Sequence, residues 1–414
     1  MRVLLVTSRY PVPSWRGNQV RTMEWLSALS GCELLLACPQ TTGRDAGSFS
    51  AEVQFYRLSA AGQAAGLLRA AASGRPLQEG LYDSGQARRA VAEAVRHFSP
   101  DVIVIQMVRC GWAAEAAVSV DPGVPIVFDA IDAMGLHFDR AAASSSFWTA
   151  PVFRNEALRC RRRERWLSRS ARRTVAVAER DLAELAVPQG RGRVIPVAGC
   201  VMATPEIPTS ARVVVLSGNL GYRPTARGAV WFSREVWPRV RSRVPDARWV
   251  LAGARPTAAV RILSRLDGAE VHADVPDLGA WVASSRVAVA PMSSGSGVPM
   301  KVLEAMAAGV PAVVHPWAAD GLTKDAAGAV VVADGAEAWA DEIVRLLDDA
   351  ETARTEGEKG RAAWRRTYHP DVVAQQIRDV VAEAAGANVA TLGSSEISCD
   401  NVPQGSEPRR GDRE

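Results

Sequence analysis

At 414 residues the chain exceeds what one hydrophobic core of about 150 residues organises, so two domains are expected. Hydrophobic residues make up 48% and charged residues 23%, the balance of an ordinary globular protein, and no apolar run approaches the roughly 20 residues of a membrane span. The formal net charge of +4 is too small to argue for nucleic acid, and the basic residues include just three lysines, Lys301, Lys324 and Lys359. Such an arginine bias, with abundant alanine, points to a GC-rich bacterial genome.

The chain opens on Met1 to Ser8, one basic residue and a short apolar run without a small-residue cleavage site, followed at once by Arg9 and Pro11. A buried first strand is expected rather than a signal peptide, and with it a cytoplasmic location. Further apolar runs follow at Leu34 to Ala37, Val102 to Ile105, Ile126 to Phe128 and Thr174 to Ala178, separated by helix-like stretches. Continuous runs of this kind belong to strands buried on both faces, so the first half reads as a doubly wound α/β domain over 1–200. Its first strand-to-helix loop, Arg9 to Gln19, holds Gly17 between Arg16 and Asn18. Near the end of a later strand stand Asp129 and Asp132, where a carboxylate can orient or deprotonate a hydroxyl, or simply cap a helix.

From Arg154 to Arg173 the sequence carries nine arginines and two glutamates, the composition of a surface helix that is either solvated or laid against anionic lipid or a phosphate-bearing acceptor. Pro and small residues then collect between Pro196 and Thr209, the expected linker. The alternation resumes at Val213 to Ser217, Arg248 to Ala252, Glu270 to Ala273, Val287 to Ala290, Ala312 to His315 and Ala329 to Ala333, which makes 210–368 a second Rossmann-like domain. An amphipathic helix within 369–386 is expected to pack back on the first domain, and 387–414 lacks the apolar residues to offset ordering entropy, so it is expected to be disordered. The six cysteines show neither C-x-x-C pairing nor metal-ligand spacing and are expected to be free thiols.

The stretch Ala290 to Pro311 carries the chemistry. A buried strand ends in the small residues Ser293 to Gly297 and feeds a helix from about Met300 to Ala308, closed by Gly309 and Pro311. Backbone N–H groups at such a helix start suit a diphosphate, Lys301 adds a full charge, and Glu304 on the same face can accept from a ribose diol. The same pattern also fits an ordinary loop and helix with a solvated Lys–Glu pair. After Ser217, the loop containing Gly218, Asn219 and Gly221 allows close backbone approach, with Arg223 or Arg227 as a cation. His315 and Trp317 stand where they either line this pocket or pack.

These residues resemble the family 4 retaining glycosyltransferases of the GT-B fold, across nearly the whole chain. The likeness is strongest in Gly218 to Thr225, Ala229 to Phe232, Val236 to Arg241, Val244 to Arg248 and Gly295 to Pro311. By that resemblance Glu304 holds the nucleotide ribose, while Ser296 stands where the family usually places a second glutamate against the donor sugar. Gly295, Gly297, Lys301 and Glu304 fit a G-x-G-x-x-x-K-x-x-E subgroup that shares this departure. The resemblance implies that Gly17 faces the donor phosphates, that Asp129 or Asp132 serves the acceptor, and that Lys301 and the Gly218 loop neutralise the departing diphosphate. It also implies retention of anomeric configuration without a metal or cofactor, the nucleoside diphosphate sugar being co-substrate. Two other readings share the architecture: a sugar-nucleotide epimerase and a non-catalytic nucleotide-sugar-binding subunit.

Overall fold

The computed structural model describes residues 1–12, 17–40, 49–143, 145–199, 212–293 and 298–387. The apolar runs of the first half become parallel strands β1 (Arg2–Val6), β2 (Glu33–Pro39), β3 (Glu52–Tyr56), β4 (Val102–Gln106), β5 (Ile126–Ile131), β6 (Arg173–Ala176) and β7 (Gly192–Val194), in the sheet order β3-β2-β1-β4-β5-β6-β7. Val3 lies between Leu34 and Val102, and the wholly buried Leu4, Leu36, Ile103, Ile105 and Phe128 form the centre of the sheet. Both faces are covered, as parallel sheets require.

The second sheet takes the order β10-β9-β8-β11-β12-β13, built from β8 (Val213–Asn219), β9 (Arg248–Ala254), β10 (Ala269–Ala273), β11 (Val287–Ala290), β12 (Ala312–Val314) and β13 (Val331–Val332). On one face, Phe232 packs against Trp249 at 4.7 Å between ring centroids, with Trp237 and Trp339 completing an aromatic core. Val302, Leu303, Met306, Trp364 and Tyr368 fill the other face. Two α/β sheets of this topology are the doubly wound architecture that the apolar runs predict.

The chain divides into two compact units, Met1–Val197 together with the segment from Val373, and Ala198–Val372. The helix Pro370–Ala385 therefore serves the first unit over most of its length. There Arg378 Nη1 donates to Ala28 O at 3.3 Å, and Glu383 accepts from Arg173 Nε at 2.9 Å and Arg193 Nη2 at 2.6 Å. Residues 200–209 of the expected linker, and the expected disordered tail beyond Ala387, lie outside the described residues. Cys32, Cys38, Cys110 and Cys160 are free thiols.

Candidate functional site

In the second sheet the strand order reverses between β8 and β11, and the crevice beyond the carboxyl ends of such a strand pair is where open α/β sheets take ligands. The loop after β8 leads into the helix Arg223–Glu235 and the segment after β11 into the helix Met300–Ala308. Among the described residues no side chain caps either helix N-terminus, so backbone N–H groups and partial positive charge remain at both.

Two glycines draw these elements together. Gly253 on β9 sits opposite Gly218 with φ +149°, and a Cβ there would lie 1.7 Å from Gly218 O, so no side chain fits. A Cβ on Gly228 would lie 2.7 Å from Pro291 O, which seats the helix Arg223–Glu235 directly against the end of β11. Gly309, at φ 73°, ends the helix Met300–Ala308 as expected, and Gly357 of the helix Ala350–Thr367 packs so closely that its Cβ would fall 1.9 Å from Gly309 O.

The side chains converge on this point. Lys301 Nζ stands 3.4 Å from Thr225 Oγ1 and 3.4 Å from Met292 Sδ, and Ser217 Oγ donates to Glu304 Oε2 at 3.4 Å. Burial lowers the Lys301 ammonium to about 8, with Glu304 pulling the other way. Burial raises the Glu304 carboxyl, opposed by Lys301 and by the Ser217 hydrogen bond. An anion placed here would relieve the cost of the half-buried ammonium, and a diol would give Glu304 a better donor than the long Ser217 contact.

The other expected donor residues divide. Gly218, with φ 104°, places its α-carbon beside the Lys301 ammonium, a virtual Cβ lying 3.8 Å from Nζ. Asn219 Oδ1 accepts from Gly221 N at 3.0 Å and so shapes the turn. Arg223 and Arg227 are both exposed and four residues apart on one helix face, whereas Thr225 is buried toward Lys301. Gly295, Ser296 and Gly297 lie outside the described residues. His315 Nδ1 accepts from Trp317 N at 3.1 Å and caps the short helix Pro316–Ala319. Ser217, Thr225 and Met292 also belong to the site, and sequence gives no sign of it, because a lone hydroxyl or thioether at a strand end, in the first turn of a helix or just past a strand carries no periodic signal.

In the first unit the two aspartates have different fates. Asp129 is wholly buried: Arg21 Nε donates to its Oδ2 at 3.2 Å and Gln106 Nε2 to the same oxygen at 3.1 Å. Inside β5 and covered by the helix Gly17–Ala28, the Asp129 carboxylate, expected on the acceptor side, anchors that helix to the sheet. Asp132, just past β5, is half-buried and makes no hydrogen bond among the described residues. Burial and then Asp181 raise its carboxyl to about 6, with Arg180 opposing and Asp129 adding a smaller push.

Asp132 does not cap the next helix, Met134–Ala143. Asp181 accepts from Ala133 N at 3.1 Å, and Glu164 accepts from Met134 N at 2.6 Å. Two non-glycine residues take left-handed backbone at the adjacent strand ends, Met107 after β4 with φ 64° and Ile131 in β5 with φ 62°. Strain of this kind is costly for a β-branched residue and gathers at working strand ends. Gly17 opens the helix Gly17–Ala28 on the surface, where an added Cβ would meet nothing within 4 Å, so no contact within the described residues demands glycine. Asn18 Oδ1 accepts from Arg9 Nη1 at 3.2 Å, and Arg16 lies outside the described residues.

The sequence matches the profile of the family described as glycosyl transferases group 1 over residues 211–349 and that of the glycosyl transferase 4-like domain over residues 17–198. No curated protein matches the sequence significantly. Among solved structures, sucrose-phosphate synthase from Thermosynechococcus elongatus superposes with a TM-score of 0.65 at 15% identity, covering 91% of this chain and 97% of that one. Anabaena HepE in complex with UDP-glucose gives a TM-score of 0.61 at 13% identity over 92% and 98%. An α,α-trehalose-phosphate synthase (UDP-forming) from Burkholderia xenovorans gives 0.58 at 11% over 92% and 100%. At these identities the likeness is one of fold, and the fold is GT-B. With the two profiles together spanning most of the sequence and the Lys301–Glu304 helix standing at the strand reversal of the second sheet, the chain belongs to the group 1, family 4 glycosyltransferases.

Proposed function

We propose that the protein transfers a sugar from a nucleoside diphosphate donor, UDP- or GDP-linked, to an acceptor hydroxyl with retention of anomeric configuration and without a metal. The observation that carries this reading is the meeting of Lys301, Thr225, Ser217 and Glu304 between two helix N-termini that no described side chain caps. Lys301 and the backbone N–H groups at Gly218 and the two helix starts take the diphosphate, while Glu304 takes the ribose. Breaking the bond from the anomeric carbon to the diphosphate leaves charge on the leaving oxygen, where the ammonium and the N–H groups stabilise it. The acceptor oxygen forms its bond on the same face, and its proton passes to the departing phosphate. In the first unit Asp132, which no hydrogen bond among the described residues engages, is the group that orients the acceptor hydroxyl.

HepE crystallised with UDP-glucose lends support to a UDP-linked donor. The match to transferase profiles disfavours the epimerase reading. The test is an initial-rate assay across nucleoside diphosphate sugars in excess chelator, with the anomeric configuration of the product read by NMR. Release of nucleoside diphosphate that depends on acceptor, with a retained anomer, supports the proposal. Loss of rate to background in chelator, with recovery only on adding magnesium or manganese, overturns the metal-free mechanism; conversion of the donor in the absence of acceptor overturns the transfer.

A further inference from the structure

The arginine-rich stretch forms the helix Ala150–Ser170, and its two faces differ in charge. Arg163 is buried, donating through Nη2 to Glu79 at 2.7 Å and through Nη1 to Glu115 at 3.0 Å, and Arg161 pairs with Asp139. Both acids of the helix, Glu156 and Glu164, face inward. The exposed face therefore carries Arg154, Arg162, Arg165 and Arg169, none ion-paired among the described residues, and no carboxylate.

Apolar side chains sit among these charges. Val152, Leu158 and Trp166 are exposed on the same face, and just ahead of the helix Phe147 and Trp148 are 83% and 84% exposed. The two rings pack edge to face at 5.6 Å, the most exposed aromatic pair among the described residues. No helix among the described residues is long and apolar enough to cross a membrane. We propose that this face docks on an anionic lipid bilayer, with Phe147 and Trp148 entering the headgroup boundary and the four arginines meeting lipid phosphates.

The chemistry selects a bilayer over a polyanion in solution. Arginine alone would serve a free polyanion, whereas two adjacent aromatics left in water at one end of a basic face match the way interfacial helices combine apolar insertion with attraction to anionic headgroups. A nucleic acid would use the rings as a stacking platform within a groove, and here both stand almost wholly in solvent just ahead of the helix.

The test is flotation of the full-length chain with vesicles of phosphatidylcholine alone and of phosphatidylcholine mixed with phosphatidylglycerol. The expected result is flotation only with the mixed vesicles, weakened by salt. It should fall roughly tenfold in the double variant Phe147→Ala, Trp148→Ala and again in Arg162→Gln, Arg165→Gln. Nucleoside diphosphate binding, followed by thermal shift, should stay unchanged in both variants and so certifies their fold. No flotation, equal flotation on phosphatidylcholine alone, or flotation indifferent to both variants overturns the proposal. Self-association of the chain that the same variants abolish, without vesicle binding, overturns it in favour of a second copy as the occupant; binding of single-stranded nucleic acid with the same variant dependence does so in favour of a polyanion.

Discussion

Arg21 Nε lies 3.2 Å from Asp129 Oδ2, and neither side chain is exposed to solvent. The guanidinium also donates to Pro196 O at 2.9 Å and to Glu24 at 3.1 Å, so one arginine ties the helix Gly17–Ala28 to the sheet and to the last strand's exit. Asp129→Ala leaves that charge buried beside a lost partner, and the expected cost is about 3–5 kcal/mol. Urea unfolding should show the midpoint fall with an unchanged slope. An unchanged midpoint together with lost turnover would return Asp129 to the catalytic residues.

Asp132 should give the rate its acid limb. Its carboxyl is raised from the ordinary 3.8 to about 6, so the form able to accept a hydrogen bond from the acceptor hydroxyl accumulates only above that pH. Turnover at saturating donor should rise through about 6, and Asp132→Asn should lower it and flatten the limb. The folded chain holds this proton more tightly than the unfolded chain. Its contribution to stability is therefore complete below the unfolded value of 3.8 and is lost as pH rises toward about 6. Persistence of the limb in Asp132→Asn would move the assignment to Glu164, which burial raises to about 7.

Lys301 titrates within reach of ordinary assays. Burial brings its ammonium down to about 8, so nucleoside diphosphate should bind progressively more weakly as pH climbs past that value. Lys301→Met should remove this dependence and cut turnover more than binding, because the charge on the diphosphate grows as the sugar departs. Calorimetry across the alkaline range reads the first effect and single-turnover kinetics the second. A wild-type binding isotherm indifferent to pH would take Lys301 off the diphosphate.

Glu304→Ala should weaken nucleoside diphosphate and nucleoside diphosphate sugar alike, by about 1.5–3 kcal/mol, the range for a hydrogen bond to a charged group. Ser217→Ala should cost far less, since its 3.4 Å contact with Glu304 is long. If the nucleotide lost no affinity while the sugar nucleotide did, Glu304 would belong to the sugar instead of the ribose.

Gly228→Ala tests whether the site depends on backbone proximity. The new methyl would meet Pro291 O at 2.7 Å, and the helix Arg223–Glu235 must move away from the end of β11. We expect a stability loss of about 1–3 kcal/mol from overpacking, accompanied by weaker nucleotide binding. A stability loss with intact affinity would show that Thr225 and the helix start are dispensable for the donor.

Where a strand is buried on both faces, its sequence is nearly unambiguous, and for that reason the runs at Val3, Val102, Val213 and Val287 lead directly to central strands. β3 and β7 escape because they are edge strands: Glu-Val-Gln-Phe-Tyr buries only its last residue and Gly-Arg-Val buries none. The helix Met300–Ala308 is legible to the residue, since Pro299 and Gly309 punctuate both ends. Asp129 and Asp132 could not be told apart by sequence. Three positions separate them, yet the irregularity at Ala130 and the left-handed Ile131 turn one into the interior and leave the other at the strand end. The partner that decides the matter, Arg21, lies 108 residues away from Asp129 in sequence.

The helix Pro370–Ala385 belongs mainly to the first unit although its residues follow the second. A ribosome working from the N-terminus must therefore finish the entire second unit before Glu383 emerges to meet Arg173 and Arg193. The unit translated first is the last to be completed, and until then the carbonyl of Ala28 and two arginines at one edge of its sheet wait for partners. A nascent chain stalled before Val373 would present that unfinished edge to whatever chaperone or protease reaches it.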